Sequence, residues 1–181
     1  MTGGPARISW TQFKALAASD LSVNGGGKGF GAGASAFFFH PGFQAIFLFR
    51  LAQYLRPGWP RLSLLIWRTN VALSGCHFHL DCEIGRTLML PHPVGIVLGS
   101  ACRLGANVTL YQNTTIGRST GDQYPRIGDN VIIYPNSVVI GAIEIGEGAV
   151  VGASSVVLSS VAPGTTVAGN PASIIRRTAD P

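Results

Sequence analysis

A chain of 181 residues has room for one well-cored domain with a small appendage and excludes two independent enzyme domains. Only 12% of the residues are charged and 46% are hydrophobic, which excludes a disordered chain and predicts extensive burial between subunits. The formal charge of +5 comes from scattered basic residues with no basic helix or stacking motif, which argues against nucleic acid and fits a polyanionic small molecule or an anionic membrane surface better.

The N-terminal "MTGGPARISW" carries no apolar stretch of the kind that precedes a secretory cleavage site, so a cytoplasmic protein is expected. Helical spacing then begins: "ISWTQFKALAASDL" places Trp10, Phe13, Leu16 and Ala17 on one face. The glycine-rich "SVNGGGKGFGAGASA" lacks both a GK[ST] ending and a preceding buried strand, so it reads as a flexible connector and not as a phosphate cradle. A second helix is expected from Phe43 to Leu55, after Pro41-Gly42, with His40 packing or capping at its start. The apolar run from Phe37 to Leu73 is broken by Pro41, Arg50, Arg56, Pro57, Pro60, Arg61 and Arg68, leaving no membrane-spanning length. Peripheral contact with a bilayer through Trp59 and Trp67 is an alternative to their packing the helical segment onto the rest of the fold. Cys76, Cys82 and Cys102 are odd in number and form no CxxC pair, which points to reduced thiols.

From about residue 76 the pattern becomes an internal repeat. Aliphatic residues recur every six positions at Leu98, Leu104, Leu110 and Ile116, and again at Ile127, Ile133, Val139, Ile145, Val151 and Val157. Four residues after each stands a small or branched side chain: Cys102, Val108, Thr114, Thr120, Val131, Ser137, Ile143, Ala149, Ser155 and Val161. A hexapeptide period is the signature of a parallel β-helix, in which three hexads close one triangular coil. The expected architecture is mainly β: a left-handed parallel β-helix of about five coils over residues 76–163, an α-helical segment over 1–75 and a tail over 164–181. Cys82 and Cys102 fall on the small inward position one coil apart and are expected to stack as unreactive thiols.

The rhythm breaks twice. Phe78, Ile84, Leu90 and Ile96 keep the period, yet the next series starts at Leu98, so two residues are inserted beside His92. Between Ile116 and Ile127 the segment "GRSTGDQYPR" adds five residues and must bulge from the prism. A solenoid wall has no cleft of its own, so a site is expected where its regularity fails.

The segments "IGRTLMLPHPVGIVLG", "GDQYPRIGDNVIIYPNSVVIGAIEIGEGAVVGASSVVLSSV" and "VAGNPASIIRR" resemble the left-handed β-helix acyltransferases, and specifically the serine acetyltransferase group, over roughly residues 76 to 177. The resemblance implies acetyl transfer from acetyl-CoA to a hydroxyl, without a metal, in trimers whose sites lie between neighbouring prisms. His92 matches the family's catalytic base, and imidazole is suited to taking a hydroxyl proton near neutral pH. A backbone N–H at a coil corner would hold the developing oxyanion. Gly117, Ala142 and Ala153 match the family's pantetheine groove, and Arg176 and Arg177 its phosphate contacts.

The sequence departs from the serine enzymes at three places. The acid that orients the family's base is replaced by His77, with Asp81 or Glu83 as possible substitutes. The acid preceding that base is Pro91, and an Arg-His pair in the bulging loop is Gln123-Tyr124. The chain also resembles the short colanic-acid type acetyltransferases of polysaccharide synthesis. The expectation from these departures is therefore a sugar hydroxyl as acceptor, held by Gln112, Asn113, Gln123 and Tyr124, with a serine O-acetyltransferase of cysteine biosynthesis as the alternative. Two further readings compete: a zinc site built from His77, His79 and His92, and a non-catalytic scaffold.

Overall fold

The computed structural model describes residues 8–25 and 30–177. Four helices come first: α1 (Trp10–Asn24), α2 (Phe30–Phe39), α3 (Pro41–Leu55) and α4 (Pro60–Ser74). α1 starts on a capping box, in which the Ser9 hydroxyl accepts from the Gln12 amide and the Gln12 side chain accepts from the Ser9 amide. α3 and α4 each place proline in the first turn, where no amide donor is needed.

Twelve short strands follow: β1 (His77–Phe78), β2 (Glu83–Ile84), β3 (Val97–Leu98), β4 (Arg103–Leu104), β5 (Thr109–Leu110), β6 (Thr115–Gly117), β7 (Arg126–Ile127), β8 (Ile132–Ile133), β9 (Val138–Ile140), β10 (Glu144–Ile145), β11 (Val150–Val151) and β12 (Val156–Val157). They stack in parallel into three sheets. The first sheet runs β1-β3-β6-β9-β12 and the second β2-β4-β7-β10. The third begins β5-β8-β11 and continues into β13 (Thr165–Gly169) and β14 (Ala172–Arg177). This is a parallel β-helix of about five turns, as the hexads predict. Residues 165–177, set apart from the sequence as a tail, instead form an antiparallel hairpin on the last coil.

The register confirms both breaks. Phe78 pairs with Leu98 and Ile84 with Leu104, which absorbs the two extra residues, and Leu104 pairs with Ile127 across the five-residue insertion. The first-sheet column Phe78, Leu98, Ile116, Val139 and Val157 is buried throughout, each side chain adding about 1.5–3 kcal/mol of burial. Thr120 departs from the expected ladder: it is exposed because it lies in the bulging segment, and Ile143 is only half-buried. Cys82 and Cys102 are fully buried. Burial pushes both thiols up, Cys102 to about 12, as expected of inert core thiols.

The first coil would expose an open edge of backbone groups, and side chains of the helices cover it. Arg50, on α3, donates to the carbonyls of Ile84 and Gly85 at 2.7 and 2.6 Å and to Asp20 of α1 at 3.1 Å. Asp20 in turn accepts from the Leu88 amide at 3.0 Å. Asn24 bonds both the Leu88 carbonyl and the Leu90 amide, Gln53 the carbonyls of Leu80 and Cys82, and the Trp67 indole the Phe78 carbonyl. Trp67 is thus a packing residue, whereas Trp59 is exposed. Asp20 and Arg50 are both buried; desolvation raises the Asp20 carboxyl above the usual range, against the lowering pull of Arg50.

Replacing Asp20 by Asn removes the counter-charge of a buried guanidinium and should cost about 3–5 kcal/mol. Urea unfolding of the variant and the parent measures this directly; a difference below about 1 kcal/mol would show that the pair does not hold the cap on the first coil.

Candidate active site

The two extra residues fall at the corner between the third and first sheets, between Leu90 and β3. Pro91 and Pro93 bracket His92; Pro93 is buried while His92 is exposed. The Val94 amide donates to the His92 carbonyl at 2.8 Å, a tight turn, and the Val94 carbonyl accepts from Asn113 one coil on at 2.9 Å. Gly95 has φ +66°, and a Cβ there would collide with the Asn113 side-chain oxygen, so this corner requires glycine. The result is a fixed platform that presents an imidazole to the outside.

The His92 ring lies 6.3 Å from that of Tyr111, which stacks on Tyr134 at 5.2 Å. The neighbouring Gln112 has a buried side-chain oxygen with no hydrogen-bond partner, and Asn113 donates to Asn136 at 3.0 Å along the same corner. His92, Gln112 and Asn113 are therefore brought together, with Ala153 on the same corner further along.

His77 does not join them through any hydrogen bond. It projects from β1, and its ring packs edge-on against Trp67 at 5.0 Å. The candidate substitutes are also engaged elsewhere, Asp81 by Arg56 and His79, and Glu83 by Arg103. Neither ring nitrogen of His92 has a partner among the described residues.

The second cluster surrounds the insertion after Gly117, at the corner between the first and second sheets. Arg118 pairs with Asp122 at 2.9 Å and lies 6.0 Å from the Tyr124 ring. Ser100 donates to the Tyr124 hydroxyl at 3.0 Å, and the Tyr124 ring rests on Gly99 so closely that a Cβ there would enter it. A groove of about 480 Å³ runs alongside, lined by Gln123, Tyr124 and Ala142 together with Arg103, Arg126 and Glu144. Arg103 and Arg126 are register neighbours, as are Arg126 and Glu144. Both corners end the same first-sheet strands, separated by the width of a prism face, roughly 20 Å for six extended residues.

The residues expected to bind the donor are thus divided. Gly117 and Ala142 belong to the loop corner and Ala153 to the His92 corner. Arg176 is exposed on β14, and the Arg177 side chain lies outside the described residues. Tyr111, Arg103, Arg126 and Glu144 escaped the sequence reading. Their signal was present: Tyr111 and Tyr134, like Arg103 and Arg126, occupy equivalent coil positions once the five inserted residues are removed.

Two repeat models match this chain: the bacterial transferase hexapeptide (six repeats) over residues 124–159 and the hexapeptide repeat of succinyl-transferase over residues 92–112. The Staphylococcus xylosus serine acetyltransferase is 40% identical over 119 residues, covering 64% of this chain and 55% of that protein. The Neisseria gonorrhoeae serine acetyltransferase in complex with serine superposes with a TM-score of 0.81 at 32% identity, covering 93% of this chain and 71% of that one. The chain belongs to the hexapeptide-repeat acyltransferase family. It spans about half the length of the curated relatives it matches. A further family structure, a serine acetyltransferase in complex with CoA, gives a TM-score of 0.80 at 28% identity over 92% of this chain and 71% of that one.

These relatives overturn the sugar acceptor expected from the sequence, together with the resemblance to the polysaccharide subgroup. They are serine acetyltransferases, both by sequence at 40% identity and by structure. The inference failed because it treated the loss of particular charged side chains at Pro91, Gln123 and Tyr124 as a loss of charge from the site. The groove beside Gln123 and Tyr124 contains Arg103, Arg126, Asp122 and Glu144, a charged lining that a neutral sugar would leave unused.

Replacing Gly99 by Ala should displace the Tyr124 ring and release the loop it anchors. Limited trypsin digestion is expected to cut after Arg118 at least about tenfold faster than in the parent, because proteolysis follows local opening. Unchanged cleavage would show that Tyr124 does not hold the loop.

Proposed function

We propose that this chain is a serine O-acetyltransferase, moving the acetyl group of acetyl-CoA to the side-chain hydroxyl of L-serine. The observation that carries the reading is the placement of His92, exposed on a corner enlarged by two residues, in a chain whose relatives are serine acetyltransferases.

His92 takes the proton of the serine Oγ as that oxygen attacks the thioester carbonyl carbon. The tetrahedral oxyanion then collapses, the C–S bond breaks, and the departing CoA sulfur receives the proton from the imidazolium. Atoms balance to O-acetylserine and free CoA, with no covalent enzyme intermediate and no metal. In this reading the acceptor is a zwitterion, for which Arg126 offers charge to the carboxylate and Glu144 to the ammonium. The unpartnered Gln112 oxygen is available to a donor brought by the ligand or a neighbouring chain.

A homotrimer completes the proposal. Within one chain the His92 corner and the loop corner stand at opposite ends of a prism face. A cyclic head-to-tail arrangement sets the first corner of each chain against the second corner of the next, closing after three copies. Acetyl-CoA would lie in that seam, touching Ala153 of one chain and Gly117 and Ala142 of the other, with Arg176 and Arg177 toward its phosphates.

Thiol release from acetyl-CoA in the presence of L-serine tests the reading, and the buried cysteines, with their raised thiol pKa values, will consume little reagent. Turnover is expected with serine, and His92→Asn should lower kcat about 10²- to 10⁴-fold while leaving the circular dichroism unchanged. Equal turnover by His92→Asn would remove the base, and no serine-dependent release would remove the acceptor.

A further inference from the structure

α4 is built inside out. Its two fully buried side chains are polar: the Ser63 hydroxyl donates to the Ala52 carbonyl at 2.7 Å and the Asn70 amide to the Ala45 carbonyl at 2.9 Å, both on α3. Its leucines face away from the protein, Leu62, Leu64, Leu65 and Leu73 being 41%, 51%, 61% and 60% exposed. Trp59, at the start of the helix, is 67% exposed. An amphipathic helix on a self-sufficient surface shows the opposite pattern.

Charge on this face has one sign. Arg61 and Arg68, two helical turns apart, are exposed among the leucines. Neither has an acidic partner among the described residues, whereas Arg50 and Arg56 are paired with Asp20 and Asp81. No Asp or Glu occurs between Asp20 and Asp81.

We propose that the outward face of α4 docks on an anionic phospholipid surface, the helix lying in the headgroup plane. The leucines and Trp59 enter the boundary with the acyl chains, while Arg61 and Arg68 meet lipid phosphates. Trp at the end of such a helix suits the headgroup level. A twofold contact through this face is disfavoured, since it would set arginines against arginines with no acid on the helix to separate them. No single described helix is long and apolar enough to cross a membrane, so the contact is along the surface. The inference does not depend on the acceptor.

Co-sedimentation of the full chain with vesicles tests it, comparing phosphatidylcholine with an equal mixture of phosphatidylglycerol and phosphatidylcholine. The chain is expected to partition onto the anionic vesicles and to be released at high salt. Arg61→Glu with Arg68→Glu should weaken partitioning at least about twentyfold, near fivefold for each arginine lost, and Leu65→Gln should weaken it as well, all with unchanged oligomeric mass by light scattering. Failure to bind, or equal binding to both lipids, would overturn the proposal. So would a Leu65→Gln variant that changes oligomeric mass but not partitioning, which would assign the face to a second copy.

Discussion

Coil-on-coil registration is the constraint from which the rest of this structure follows. Strands of two or three residues cannot hold together by themselves; each is fixed because its backbone bonds the equivalent strand above and below, and its inward side chain meets an equivalent side chain. A shift of one residue would turn every aliphatic outward, so extra residues are tolerated only where the chain turns. Both insertions therefore lie at corners. Asn107, Asn113, Asn130 and Asn136 adopt the left-handed conformation at such turns, which asparagine accepts more readily than other side chains. The corners can thus be rigid and still vary in length.

That rule separates the chemistry. The imidazole stands at one end of the first sheet, and the loop with its charged groove at the other. One prism cannot bring them together, and in the proposed trimer a neighbour can. The helices serve a different need: they satisfy the open edge of the first coil through Asp20, Asn24, Arg50 and Gln53, leaving the outward face of α4 for another surface.

The β-helix was legible because its period is strict and its inward positions tolerate little besides aliphatic and small residues. The two breaks could be read as well, one beside His92 and the other between Ile116 and Ile127. The helical region was less legible. α2 begins within glycines that disfavour helix, but Phe37 packs against Phe47 of α3 with ring centroids 5.7 Å apart, and tertiary packing overrides propensity. α4 lies within the expected helical segment but was not delimited as a helix of its own, since its buried face is polar, the reverse of the pattern a search for apolar periodicity finds. The Asp20–Arg50 pair joins residues thirty positions apart, and nothing local marks either as buried. Arg103 and Arg126 occupy equivalent outward positions, but outward positions accept any polar side chain, so the charge of the groove emerged only once the coils were stacked.

The central claim is that one catalytic site takes its base from one chain and its loop from the next. Co-expression of His92→Asn with Arg126→Glu, each expected to lose most of its activity alone, tests this most directly. Random assembly of the two into trimers should restore about a quarter of parental activity, since that fraction of interfaces joins an intact base to an intact groove. Mixed assemblies no more active than either variant alone would contradict it.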